Sequence, residues 1–215
     1  KMDEDIAAIN TNTRNERIIN FFLNNKKKLI ILLSIIILLI FSYFAFEEIS
    51  KTKKENLANK YNASTINYIS GNNNNIENEM IEIINFKDKT YSPLALYFLL
   101  DNNIINSREK VNELFDILIE ETKLDKEIKN LIIYKKGLYN SDYETENNLL
   151  KILNPLINSK SIWKSHSLYL LAEYFFSKNE KQKAKEFFEK IITLENSNPQ
   201  IKLEAQKRIQ RDFSE

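Results

Sequence analysis

The side chains that most often do chemistry in proteins are few in this chain. His166 is the single histidine among 215 residues, and there is no cysteine. The lack of cysteine excludes disulfides, thiolate metal ligands and thiol nucleophiles. A Ser-His pair or a metal site would need further partners at a suitable spacing, and no such pattern surrounds His166. The segment Lys164–Ser167 is instead typical of the first turn of a helix.

Carboxylates are abundant, but their spacing does not build a catalytic pair. Glu120 and Glu121 are neighbours in the sequence, so their side chains diverge on a helix. Gly71 and Gly137 are the only glycines, which leaves no glycine-rich phosphate loop. We therefore expect no catalytic residue, no cofactor and no metal site. An enzyme with a site of a different pattern stays open as a third hypothesis about function.

An uncharged apolar run extends from Leu29 to Phe46. As a helix it would be about 27 Å long, close to the thickness of the hydrocarbon core of a bilayer. A buried core helix rarely lacks a polar face over this length. A cleavable signal peptide would have a shorter apolar run and a cleavage site of small residues, which does not follow here. We predict a retained single-pass membrane anchor.

Lysines flank the apolar run on both sides and bear on its orientation. Lys26, Lys27 and Lys28 directly precede it, so the positive-inside rule favours a cytoplasmic N-terminus. The lysines after the run lie further away, at Lys51, Lys53, Lys54 and Lys60. We expect a bacterial inner-membrane protein whose C-terminal domain is periplasmic. Because 31 basic residues are balanced by 30 acidic ones, we expect no nucleic-acid partner.

The N-terminal arm has apolar residues at helical spacing beside two arginines. These residues are Ile18, Ile19, Phe22 and Leu23, with Arg14 and Arg17. Such an arm can lie on the membrane surface as an amphipathic helix, or it can serve only as a helical lead-in to the anchor.

After the anchor, helix-forming segments alternate with turn signals. Gly71–Asn75 should end the helix that follows the anchor, because Gly and Asn favour turns. Ser92-Pro93 and Asn198-Pro199 each supply an N-cap residue and a proline for the first helical position. Pairs of predicted helices start near residues 92, 125 and 161. These offsets are typical of helix-turn-helix solenoids, whose period is about 34 residues.

The hairpin at residues 168–194 has the clearest helical periodicity. Its apolar residues recur at i, i+3, i+4 and i+7 on both helices. They are Leu168, Leu171, Ala172 and Phe175, then Ala184, Phe187, Phe188 and Ile191. Asn179 can cap the second helix, with Gln182 as its capping-box partner.

This hairpin resembles the tetratricopeptide repeat (TPR). The large, small, aromatic, small and aromatic positions of the family are matched by Leu171, Ala172, Phe175, Ala184 and Phe188. Leu168 and Ile191 depart from the tryptophan and alanine that the family prefers, and the closing proline is displaced to Pro199. The match is good over residues 168–194 and degenerate in the two earlier hairpins. It implies stacked helical hairpins that bury their apolar faces together.

The opposite face of the first helix of this hairpin carries the candidate partner-binding residues. They are His166, Tyr169, Glu173 and Phe176, at i, i+3, i+7 and i+10. The resemblance implies that this face lines a concave groove where partner peptides bind. The alternative is that Tyr169 and Phe176 pack on the preceding hairpin.

The layout of the whole chain resembles one family more closely. A short arm containing Arg14–Arg17 ("RNER"), a basic stop, one membrane helix and degenerate helical repeats are similar to bacterial TPR-like proteins that include the ancillary subunit of the Sec translocon. This resemblance implies contacts with the translocon, with periplasmic chaperones or with exported polypeptides, and no catalytic residues. An envelope-assembly or cell-division scaffold of the same architecture is the alternative.

We therefore predict an all-α fold with a single N-terminal transmembrane helix, followed by a TPR-like solenoid of helical hairpins. The predicted parts are a cytoplasmic arm (1–28), the transmembrane helix (29–46), a membrane-proximal helix and linker (47–75) and the repeat domain (76–215).

Overall fold

The computed structural model describes the backbone of residues 2–213 and the side chains of residues 16, 17 and 19–213. Every secondary-structure element within residues 2–213 is helical, which confirms the predicted all-α class. The side chains of Arg14 and Ile18, on which the predicted amphipathic arm partly depends, lie outside the described residues.

The first helix, α1, spans Met2–Ile69 and contains the apolar run. Within the described residues it is the one helix long and apolar enough to cross a membrane, and none of its apolar window is buried. It has the length and composition of a single-pass anchor or of a signal sequence. The predicted break after α1 is confirmed, because Gly71 and Asn75 both adopt positive φ angles, of 81° and 70°.

The chain divides into two compact units, Lys1–Asn56 and Leu57–Glu215. The second unit therefore begins inside α1. Leu57 is buried in its core, and the Ser64 hydroxyl donates a hydrogen bond of 2.5 Å to Glu79. The ring of Tyr68 packs edge-on against Phe98 at 5.3 Å. The last turns of α1 thus take part in the core of the helical unit.

Eight further helices follow in the described part of the chain and pack in consecutive pairs, consistent with an array of hairpins. They are α2 (Ile76–Asn85), α3 (Tyr91–Asp101), α4 (Arg108–Asp116), α5 (Lys126–Asn140), α6 (Glu146–Ile157), α7 (Lys164–Ser177), α8 (Lys181–Thr193) and α9 (Pro199–Asp212). A π-helical turn, Ile117–Glu121, directly extends α4. The tightest pairs are α7 with α8, α2 with α3 and α5 with α6, and α9 packs on α8 and α7.

The first hairpin differs from the predicted one, because α3 pairs with α2 rather than with α4. Ser92 is also not an N-cap, so that prediction is wrong. Its buried hydroxyl donates to the carbonyl of Ile83 at 2.9 Å and accepts from the backbone of Asp88, which ties α3 to the end of α2. The carboxylate of Asp88 instead accepts the amides of Thr90 and Tyr91 at the start of α3.

The two remaining cap predictions have opposite outcomes. Asn198 is confirmed as the N-cap of α9, since its Oδ1 accepts from the amides of Gln200 and Ile201 at 3.0 and 3.2 Å. The prediction for Asn179 is wrong, because no side chain caps α8 and Gln182 donates to Glu186 instead. Asn179 has φ 62° and turns the chain after α7, a conformation that asparagine tolerates better than most residues.

Buried side chains in the described residues form two clusters, and α5 contributes to both. Ile132 belongs to the cluster of α2–α4, whereas its neighbour Ile133 belongs to the cluster of α6–α9. The predicted apolar stripe of the 168–194 hairpin is confirmed. Its buried members are Leu168, Leu171, Ala172, Phe175, Ala184, Phe188 and Ile191, and Phe187 is half-buried.

Gly137 sets the close approach of α5 and α6. A Cβ atom at this position would lie 2.5 Å from Cδ2 and 3.0 Å from Cγ of Leu153, which is fully buried. We expect Gly137→Ala to destabilise the helical unit by about 1–2 kcal/mol, since overpacking outweighs the gain in helix propensity. Urea unfolding of the full chain in detergent micelles, followed by the fluorescence of Trp163, measures this change. Stabilisation by Gly137→Ala would contradict the prediction, and adding Leu153→Ala should make the two changes non-additive.

Candidate functional site

The four candidate residues of α7 lie on one face and are all half-buried. They fall into two groups with different neighbours. Tyr169, Glu173 and Phe176 contact α8, α9 and the end of the chain, whereas His166 contacts aromatic residues near the start of α7 and on α5. The α7 face therefore joins two separate clusters.

Glu173 is held by an arginine of α9. Nε and Nη2 of Arg208 donate to its two carboxylate oxygens at 2.7 and 2.8 Å, a bidentate geometry that is among the strongest for such pairs. Arg208 also pairs with Asp212 on its own helix. Only 12% of the Arg208 side chain is exposed. The carboxylate of Glu173 is thus engaged within the chain.

The two aromatic residues beside Glu173 contact the same arginine cluster. The guanidinium of Arg208 lies 4.4 Å from the ring centroid of Phe176 and 5.6 Å from that of Phe188. Phe176 packs edge-on against Phe213, and Tyr169 packs edge-on against Phe188 at 5.5 Å. Burial and the charge of Glu173 raise the pKa of Tyr169 to about 12, so this hydroxyl stays protonated at neutral pH. Tyr169 and Phe176 therefore pack on the following helices rather than on the preceding hairpin.

His166 belongs to an aromatic cluster that joins α5 to α7. Its ring lies 5.1 Å from that of Trp163 and 5.8 Å from that of Tyr134, and these two rings stack at 5.5 Å. Its buried Nδ1 has no hydrogen-bond partner in the described part of the chain. Burial lowers the pKa of His166 below its ordinary value, so the imidazole is neutral at pH 7. A neutral ring between two aromatic rings is suited to packing or to an apolar ligand.

Acid–base, nucleophilic and metal chemistry would each need a different arrangement from this one. Among the described residues, no group of three or more His, Cys, Asp or Glu side chains is placed to hold a metal ion. The half-buried aromatic rings and the paired charge of the α7 face are instead the side-chain types that anchor protein partners.

Arg208 is the functional candidate that sequence reasoning missed. It lies 35 residues after Glu173, which is close to the repeat period of about 34 residues. Equivalent positions of successive repeats come side by side in a solenoid, so opposite charges one period apart are the signal that could have identified this pair. Tyr134 and Trp163 were expected only as packing residues, and they do pack against one another.

Comparison with known proteins identifies no family for this chain. No family model matches it, and neither a curated protein nor a solved structure is significantly similar to it. The resemblance to TPR-like membrane proteins accordingly stays a prediction made from the residues.

Proposed function

We propose that this protein is a membrane-anchored, TPR-like adaptor that binds a protein partner through the α7 face and the neighbouring Tyr134–Trp163 cluster. The observation that carries the proposal is the combination of an unburied apolar helix with an array of helical hairpins on the same chain. An apolar segment of this length that buries none of its surface in the protein needs another apolar environment, which a bilayer supplies. Grooves of stacked hairpins bind polypeptides through a few aromatic anchors.

The specific role that we propose is an accessory of the Sec translocon that contacts exported chains or periplasmic chaperones. Tethering the hairpins to the membrane raises their effective concentration near an export channel, so weak contacts suffice. The role is non-enzymatic, and changing His166 to Ala should affect packing rather than any turnover. The layout of arm, basic stop, anchor and repeats supports this role.

The proposal requires a cytoplasmic N-terminus and a periplasmic hairpin domain in the bacterial inner membrane. Lys26, Lys27 and Lys28 support this orientation, because they directly precede the apolar run. Alkaline phosphatase, fused after the C-terminal residue, is active only outside the cytoplasm. We expect an active fusion in cells. An inactive phosphatase together with an active cytoplasmic reporter at the same position would defeat the export role.

Crosslinking identifies the partner and separates the two candidate scaffolds. A photoreactive amino acid at Tyr169 or Phe176 should capture a translocon component, an export chaperone or an exported chain. Glu189 is a matched control, since it is exposed on α8 and lies outside the α7 face. Capture of a division or cell-wall complex at Tyr169, with no export component, would favour the envelope-assembly or cell-division scaffold instead.

A further inference from the structure

An open cavity of about 480 Å³ lies among α4, its π-helical turn, α5 and α6. This volume lies within the range of about 300–1,000 Å³ that is usual for ligand pockets. None of the four candidate residues of α7 lines it. The cavity is therefore a second site, separate from the α7 face.

One wall of the cavity is fixed by polar contacts between α4 and α5. Nζ of Lys136 lies 2.5 Å from a carboxylate oxygen of Asp116, and only 15% of the Lys136 side chain is exposed. Next to this ion pair, the amides of Asn112 and Asn140 donate to each other at 3.1 and 2.8 Å. The charges of Lys136 and Asp116 are thus committed to one another.

The π-helical turn supplies the second wall. Its five residues, Ile117–Glu121, end where the hydroxyl of Thr122 donates to the carbonyl of Ile117 at 3.1 Å. A π turn changes the direction of the side chains after it and is frequent at functional sites. Here it brings Ile119 and Glu120 to the cavity.

The groups left available in the cavity are mostly acceptors of hydrogen bonds. Glu120 is exposed and has no ion-pair or hydrogen-bond partner among the described residues, and the carboxylate of Glu144 accepts only from Asn148. Pro155 lies within α6 and has no N–H group, so the carbonyl of Lys151 lacks its usual helical partner. Against these acceptors stands one uncommitted cation, the ammonium group of Lys151. The balance favours a positively charged ligand.

Apolar surface completes the lining. Ile119, Ile133 and Ile152 each contribute to it, so a cation alone would leave this part of the cavity unfilled. We propose that the cavity binds a segment of a partner polypeptide that carries a Lys or Arg side chain beside an aliphatic one. This inference rests on the proposed function in that the occupant is a protein, but it places the contact on a different surface.

Peptide binding to the full chain in detergent micelles tests the proposal. The probes are three fluorescein-labelled pentapeptides, Ser-Leu-Arg-Leu-Ser and its Gln and Glu counterparts, and fluorescence anisotropy gives their dissociation constants. We expect the Arg peptide to bind tightest and the Glu peptide weakest. Glu120→Gln should weaken the Arg peptide by about threefold to fivefold, the size of one exposed ion pair.

Two further variants separate a direct contact from a structural effect. Lys151→Glu adds an acceptor to the cavity and should tighten the Arg peptide, whereas a loss of structure would weaken it. Glu113→Gln is the matched control on α4, since Glu113 is exposed and does not line the cavity, and it should change nothing.

Equal binding of the three peptides, or no response to both Glu120→Gln and Lys151→Glu, would overturn the proposal. Full competition by 1,4-diaminobutane at the concentration of the peptide would also overturn it, because the aliphatic part would then contribute nothing. Crosslinking from Tyr169 does not pass through this cavity. Failure of the proposed function and failure of this inference are therefore distinguishable.

Discussion

Replacing Phe188 by Ala should lower the free energy of unfolding of the helical unit by about 3–5 kcal/mol. Phe188 is fully buried, and its ring contacts Tyr169 at 5.5 Å and Phe213 at 6.1 Å between centroids. Its removal leaves a cavity at the point where α7, α8 and the chain end meet. Because domains are stable by only about 5–15 kcal/mol, a large part of the total would be lost.

Urea unfolding of the full chain in detergent micelles measures this loss, since Trp163 is the single tryptophan and belongs to the same unit. Phe187→Ala is the matched control. Phe187 is half-buried and stacks on Phe175 at 5.4 Å, so its loss should cost about 1–2 kcal/mol. Equal effects of the two substitutions would mean that the burial difference between adjacent positions of α8 is not real.

Replacing Arg208 by Ala should destabilise the unit by about 2–3 kcal/mol and loosen α9. The substitution removes both hydrogen bonds to Glu173, the pair with Asp212 and the packing on Phe176. Breaking a fully buried pair would cost more, but more than a third of the Glu173 side chain is exposed and water can replace part of the contact. Urea unfolding gives the stability, and hydrogen exchange of the α9 amides gives the loosening.

Arg211→Ala is the control for charge, since 67% of its side chain is exposed and it contacts only Asp212 on its own helix among the contacts above. It should have little effect. Arg208→Lys keeps the charge but not the bidentate geometry, so it should recover only part of the stability. Full recovery by lysine would show that the planar fork of Arg208 is unimportant.

The Arg208 cluster also limits how the α7 face can bind a partner. Glu173 and Phe176 already have intramolecular partners, so a ligand that uses them must compete with α9. The Tyr134–Trp163–His166 cluster has no such cover from α9 in the contacts described, and Ile162 beside it is 66% exposed. A partner would therefore meet the aromatic cluster before it meets Glu173.

The sequence by itself determined the features that depend on short-range pattern. The apolar run at Leu29–Phe46, the turn at Gly71 and the Asn198-Pro199 cap all follow from residues within a few positions of one another. The buried stripe that includes Leu171 and Phe188 follows from helical periodicity, because residues three and four apart share a face. These features were predicted correctly for that reason.

The tertiary structure alone decided which helices and side chains meet. Ser92 has the sequence context of an N-cap, yet it bonds to the carbonyl of Ile83 because α3 folds back on α2. The pairing of Glu173 with Arg208 and the cavity beside Lys136 bring together residues that are 35 and 20 positions apart. Periodicity states which face of a helix is buried, but the partner of that face depends on packing across the whole unit.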